Sequence, residues 1–501
     1  MAAKALMVQG TGSHVGKSVL VAALCRIYKR MGYRVAPFKA QNMALNSFIT
    51  PEGGEIGRAQ AWQAEAAGIP PSVLMNPVLL KANSDTGAQV IVRGIVVGNM
   101  DVHRYHGFKD EAFKAIEESY RELESLFDII IIEGAGSPAE INLKKNDLVN
   151  MRTAKMAGAK VLLAADIDKG GVFASIVGTM ELLDPDERDL VAGYIINKFR
   201  GDASLLADGL DFLLERTGKP VIGVVPYFTG IHIQEEDGVA LENAGGCRLD
   251  DGGTDVAVLR LAHISNFTDF DPLAAEKGVR VRYIRGAEDF GRPDVLIIPG
   301  SKNTVADLLE LRRKGVEGCV TSYHKKGGVV VGICGGYQMM GRLIHDPDGV
   351  ESDNGTVSGM GILDVETVLH TDKVTGQVEA DALFTDGLGR LTGYEIHMGR
   401  TEVSGTMRPL LRVLEHDGTT AHEDGAMTPD GRAWGTYLHG IFENDGFRWH
   451  VLDMASSGRC TSKDSSLSYS ALKEQGIEQL ADHVLKSMDM EAVNRALGLT
   501  Q

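Results

Sequence analysis

Six strand-length runs in the first half of this chain are almost continuously apolar: Leu6–Val8, Arg34–Phe38, Ile129–Ile132, Val161–Ala165, Ala192–Ile196 and Val221–Val225. A strand with one wet face alternates apolar and polar residues. A strand that is apolar throughout must be covered on both faces, which is the condition of a parallel sheet between helical layers. Helical stretches such as Val19–Met31 and Asp110–Leu123 lie between the runs. The pattern predicts an α/β fold with a parallel, doubly wound sheet, whose ligands bind beyond the carboxyl ends of the strands. The polar segments that follow the strands are therefore the ones to read. They are Lys39–Asn42, Glu133–Gly136, Asp166–Gly171, Asn197–Asp202 and Pro226-Tyr227.

The first strand leads into Gly10-Thr11-Gly12-Ser13-His14-Val15-Gly16-Lys17-Ser18, and a helix opens directly after it. A glycine-rich loop between strand and helix presents backbone N–H groups to phosphate. Lys17 adds a point charge and the Ser18 hydroxyl suits Mg²⁺. The loop departs from the usual spacing. The position expected to hold the first glycine is Thr11, and Gly10 lengthens the loop by one residue.

A second chemical signal lies in Val329-Val330-Val331-Gly332-Ile333-Cys334-Gly335-Gly336. Branched residues form a buried strand, and the chain then turns at a cysteine into the helical run Tyr337–Met340. A nucleophile at such a turn is expected to stand exposed above the sheet, close to free backbone N–H groups. Those groups and the positive helix end lower a thiol pKa and stabilise an oxyanion. A thiol nucleophile needs a base. His439 is the best candidate of the 14 histidines, because Trp434–Leu438 reads as a short strand that delivers it, and His397 reads as a supporting residue.

Composition limits the functions available. The net charge is −17, from 51 basic and 68 acidic residues. That argues against nucleic acid or an anionic membrane surface as the main partner. The five cysteines show no CxxC spacing, so neither a disulfide framework nor a zinc site is expected. No apolar run is long enough to span a bilayer, and a cytoplasmic location is expected. A glycine-bearing polar stretch, Glu242–Gly253, suggests a boundary. The expected division is residues 1–250 for the phosphate-binding domain, 251–460 for a second α/β domain carrying Cys334, and 461–501 for a helical tail.

Several motifs carry a family resemblance. The elbow Gly332–Gln338 resembles the class I, triad-type glutamine amidotransferases. Pro299–Thr304, Gly393–His397 and Gly435–Gly440 are similar to the branch of that family found in cobalamin synthesis. The first half resembles the dethiobiotin-synthetase-like P-loop amidases. Asn197–Asp202 and Ile264–Leu273 look like signatures of the cobyric acid synthase family. The resemblance runs in order from about Lys4 to about Asn444.

The resemblance implies ATP- and glutamine-dependent amidation of the b, d, e and g carboxylates of adenosylcobyrinic acid a,c-diamide through acyl phosphates. It casts Cys334 as nucleophile, His439 as its acid–base partner, and the amide of Gly335 with the Gly300-Ser301 loop as oxyanion hole. Gly10, Thr11, Gly12, Gly16, Lys17, Ser18 and Lys39 would hold the ATP phosphates. Asn197 and Lys198 would contact the base, Ser18 and Glu133 would ligate Mg²⁺, and Asp147 would organise the acyl-phosphate site. One departure stands out. Many triad amidotransferases carry His-x-Glu, but position 441 is Ile441. Glu443 or a backbone carbonyl are alternative partners for the imidazole. The nearest competing reading is a cobyrinic acid a,c-diamide synthase, and a more distant one is a nucleotide-switch scaffold.

Overall fold

The computed structural model describes residues 2–82, 87–144, 147–228, 253–414, 420–456 and 468–499. The stretch expected to hold the domain boundary, up to Gly252, lies outside the described residues. The chain divides into two compact units. One comprises the described residues within Met1–Ala44, Gly54–Ile233 and Leu472–Gln501, the other those within Leu45–Gly53 and Gln234–Ala471.

The first unit is built on a six-stranded sheet. Its strands, in spatial order, are Val221–Pro226, Val191–Phe199, Lys160–Asp166, Lys4–Gly10, Ile129–Glu133 and Val35–Phe38. Every neighbouring pair is parallel. Each of the six apolar runs is thus a strand, and their side chains are buried on both faces as the pattern requires. The order reverses beside Lys4–Gly10, which places the loop after that strand at the switch point of the sheet. A four-stranded sheet (Gln41–Met43, Val78–Ala82, Gly87–Val92 and Ile95–Asp101) is inserted after Val35–Phe38. The C-terminal helices Tyr469–Ser487 and Met490–Leu497 return to this unit. Ile477, Leu480, Ala481, Val484 and Leu497 join Leu20, Leu24 and Ile131 in one apolar core.

The second unit has its own parallel strands: Val279–Ile284, Thr254–Leu259, Val295–Ile298, Val329–Ile333 and Ala433–Thr436, with Ala426-Met427 antiparallel at the edge. Beside it lies a mostly antiparallel sheet centred on the long strands Val365–Ala382 and Leu391–Val403. Strand Val329–Ile333 is fully buried in the middle of the parallel sheet, so the turn after it sits at the carboxyl edge where chemistry is expected.

Candidate active sites

In the first unit the loop Gly10–Gly16 joins strand Lys4–Gly10 to helix Lys17–Arg30. Gly16 has φ +94°, and a β-carbon there would collide with the Asn197 side-chain nitrogen, so only glycine fits. No side chain caps this helix. Lys17 Nζ folds over the loop, donating to the carbonyls of Gly12 (3.0 Å) and Gly136 (3.3 Å). Thr11 N–H donates to Ala164 O, which pins the loop to the neighbouring strand.

Glu133, the last residue of its strand, is 1 % exposed and gathers the polar residues around it. Its Oε1 accepts from Ser18 Oγ and from Lys39 Nζ, each at 2.9 Å. Its Oε2 accepts from Gln63 Nε2 at 2.6 Å and Gln60 Nε2 at 3.4 Å. The donor set fits Mg²⁺: two hard oxygens, Ser18 Oγ and Glu133 Oε1, stand side by side at the mouth of a phosphate loop. No cluster of three His, Cys, Asp or Glu ligands occurs among the described residues. Mg²⁺ suits a site of this type because it keeps waters and phosphate oxygens in its shell. A nucleotide fits as well. An uncapped helix N-terminus favours phosphate, and the buried Asn197 Oδ1 has no hydrogen-bond partner.

Asn197 and Lys198 themselves brace the loop. Asn197 Nδ2 donates to Val15 O (2.8 Å), and Lys198 Nζ to His14 O (2.7 Å) and to Asp166 (2.9 Å). Asp147 is not among the hydrogen-bond partners of Glu133. Its carboxylate accepts the N–H groups of Val149 and Asn150, and Asn150 in turn donates to Ala135 O at 2.8 Å.

In the second unit strand Val329–Ile333 turns at Cys334, with φ 50° and ψ −109°, into helix Gly335–Met340. A β-substituted residue in this conformation is strained, as expected of a nucleophile elbow. Gly336 packs so tightly that a β-carbon would overlap Ile298 O. A β-carbon on Gly335 would lie 2.9 Å from Ser301 N, and one on Gly300 would lie 3.2 Å from His439 Cε1. The structure therefore brings Gly300, Ser301, Gly335, Cys334 and His439 together. The expectation that Cys334 stands exposed is corrected: it is 7 % exposed. Strand Leu391–Val403 covers it, with Ile396 O 3.6 Å from its sulfur.

His439, only 1 % exposed, lies near enough to Cys334 on one side for the sulfur to favour its charged form. On the other, Nδ1 lies 2.6 Å from Asp269 Oδ2, and Asp269 Oδ1 accepts the Gly440 N–H. Asp269, not Glu443 or a carbonyl, thus takes the place of the missing His-x-Glu carboxylate. Burial alone disfavours the imidazolium, but the Asp269 carboxylate and Cys334 outweigh it and raise the His439 pKa to about 10. The Tyr394 ring stacks on His439 with centroids 5.4 Å apart. His397 stacks on Tyr437 and bonds Gly399 O. The signal that could have revealed Asp269 was its place in the Ile264–Leu273 signature. Nothing local to His439 pointed to it.

A buried thiol–imidazole–carboxylate row beside paired backbone amides is equipped for acyl transfer from an amide. A phosphate loop with a lysine–carboxylate–hydroxyl cluster is equipped for phosphoryl transfer. Comparison with known proteins agrees with both. The family described as "CobQ/CobB/MinD/ParA nucleotide binding domain" matches residues 6–241, and that described as "CobB/CobQ-like glutamine amidotransferase domain" matches residues 255–447. Proteins named cobyric acid synthase align along almost the whole chain. The one from Syntrophobacter fumaroxidans is 50 % identical, covering 99 % of both chains. That from Moorella thermoacetica is 50 % identical over 99 % of this chain and 98 % of its own. That from Clostridium acetobutylicum is 47 % identical over 99 % of each. By its fold, its two sites and these full-length relatives, the chain belongs to the cobyric acid synthase family.

Proposed function

We propose that this chain catalyses ATP- and glutamine-dependent amidation of the b, d, e and g carboxylates of adenosylcobyrinic acid a,c-diamide. The observation that carries the reading is the Cys334–His439–Asp269 row in a chain that also holds a complete phosphate-binding cluster. The Cys334 sulfur attacks the side-chain carbonyl of glutamine, and the oxyanion is met by the amides of Gly335 and the Gly300-Ser301 loop. As the C–N bond breaks, His439 gives its proton to the leaving ammonia, and Asp269 stabilises the imidazolium and fixes its orientation. Water then cleaves the thioester, releasing glutamate and restoring the thiol.

In the other unit, ATP with Mg²⁺ supplies the phosphoryl group that turns a corrinoid carboxylate into a good electrophile. Lys17 and Lys39 would neutralise phosphate oxygens, Ser18 and Glu133 would hold the metal, and Gly10, Thr11, Gly12 and Gly16 would shape the cradle. Asn197 would offer its unpartnered Oδ1 to the base, while Lys198 holds the loop in shape. Asp147 acts at one remove, by fixing Asn150 against Ala135. Ammonia displaces phosphate and leaves a carboxamide. We assign the reaction to the cytoplasm, whose reducing conditions keep Cys334 a thiol. No described helix is long and apolar enough to cross a membrane.

Mass spectrometry of adenosylcobyrinic acid a,c-diamide incubated with the protein, ATP, Mg²⁺ and glutamine tests the proposal. A ladder of successive –OH to –NH₂ replacements ending at the fourth is the expected result. Amidation of cobyrinic acid instead would identify an a,c-diamide synthase. No change in either corrinoid would overturn the reading.

A further inference from the structure

The chain leaves the first unit after Ala44, contributes Leu45–Gly53 to the second, and returns at Gly54. Both flanks are anchored in the first unit, Ala44 N–H on Leu80 O and Glu55 N–H on Gly94 O. The excursion itself meets the groups that surround His439. Asn46 Oδ1 accepts the Phe267 N–H (3.1 Å), and Ser47 N–H donates to Asn266 Oδ1 (3.1 Å). Asn266 Nδ2 donates to Tyr394 Oη (3.1 Å), and that hydroxyl donates to Ser47 O (3.3 Å). Phe48 packs on the Tyr394 ring, with centroids 5.3 Å apart. Further along, Gln377 Nε2 donates to Ile49 O and Thr375 Oγ1 to Gly53 O (2.9 Å).

These contacts converge on two features of the glutaminase site. Asn266 stands at φ 52°, a left-handed conformation, and opens the short turn Phe267–Phe270 that carries Asp269. The loop holds the opening of that turn, at Asn266 and Phe267. Tyr394, the third member of the closed ring of hydrogen bonds, lies flat on His439. Every group named here is buried or nearly so. In a buried site, hydrogen-bond geometry is well determined and displacement of a carboxylate by a fraction of an ångström weakens the base it orients.

We propose that Leu45–Gly53 is a positioning element of the glutaminase. Asn46 and Ser47 set the Asn266–Asp269 turn and the Tyr394 ring, and through them the imidazole of His439. Because the loop is covalently continuous with Lys39–Ala44 on one side and Glu55–Arg58 on the other, glutamine hydrolysis depends on sequence that belongs to the nucleotide-binding half. The proposal rests on Cys334 and His439 being the glutaminase pair.

Full-length Asn46→Ala, Asn46→Asp and Tyr394→Phe proteins test it, with glutamate release and corrinoid amidation measured separately. Asn46→Ala and Tyr394→Phe are expected to lower kcat for glutamine hydrolysis about tenfold with KM for glutamine within about twofold, the pattern of a misplaced catalytic group. Asn46→Asp keeps an acceptor for the Phe267 N–H and is expected to recover most of that loss. Amidation driven by added ammonium chloride should stay at the wild-type rate in all three. A structural defect would lower both activities together, and that result overturns the proposal. So does unchanged glutamate release by Asn46→Ala and Tyr394→Phe. Cys334→Ala is the separate control: glutamate release that survives it would refute the underlying assignment of the glutaminase pair and leave the loop no site to position.

Discussion

Asp269 and His439 form a close residue-level link in the second unit's candidate site. They are 170 positions apart in sequence, both buried, with 2.6 Å between Oδ2 and Nδ1. An amide in place of the carboxylate keeps the shape but cannot stabilise the imidazolium, and it favours the wrong tautomer. Asp269→Asn is therefore expected to lower kcat for glutamine hydrolysis by about 10³-fold, read as glutamate release. The same pair sets a pH dependence of stability. The folded pKa of His439 is raised from 6.5 to about 10, so folding binds a proton that the unfolded chain has lost between those values. The stabilisation is full below pH 6.5 and is lost as pH rises through about 10. Urea melts of the wild type should show stability falling across that window, and Asp269→Asn should flatten the fall. Cys334, His439, Gly300, Ser301, Gly335 and the phosphate loop could be singled out from sequence because each lies in a contiguous motif. The orienting carboxylate was left open, since no local pattern links positions 269 and 439.

At the scale of elements, the helix Lys17–Arg30 depends on the C-terminal helix for one of its faces. Arg26, 2 % exposed, donates to Ala66 O (2.8 Å) and Glu65 O (3.2 Å) at the end of helix Arg58–Ala67. Its remaining donors reach Glu474 and Glu478, whose side chains are about half exposed. Exposed carboxylates add little, and Glu65 O keeps the Gly68 N–H as a donor, whereas the buried Ala66 carbonyl left without a donor costs the full desolvation of the group. Arg26→Met is thus expected to destabilise the protein by about 2–3 kcal/mol, and Glu474→Gln by less than about 1 kcal/mol, both from urea melts. The parallel strands were legible element by element because burial on both faces leaves a continuous apolar run. The inserted sheet Gln41–Asp101 was not. Its strands are short, and Ile95–Asp101 alternates exposed and half-buried residues with little contrast. The antiparallel sheet around Val365–Ala382 escaped for the same reason, being half-buried along most of its length.

For the whole molecule, the two chemistries reside in separate folding units, each with its own parallel sheet and core. In the proposed reaction ammonia formed at one serves the other, so the synthetase should not need the thiol when ammonia is supplied. Cys334→Ala is expected to lose glutamine-dependent amidation while amidation with added ammonium chloride continues at the wild-type rate, followed by the same corrinoid mass ladder. Loss of both would mean that the thiol has a role beyond amide hydrolysis. The sequence alone determined the two α/β sheets, the phosphate loop and the cysteine elbow. Those are encoded by short-range patterns: apolar runs, glycines at a turn, and a reactive residue between strand and helix. Only the tertiary structure decided that Asp269 orients His439, that Leu45–Gly53 belongs with the glutaminase, and that the C-terminal helices complete the nucleotide-binding core. These depend on which distant surfaces pack together, and a hydrogen bond or an apolar contact between residues hundreds of positions apart leaves no periodicity in the chain.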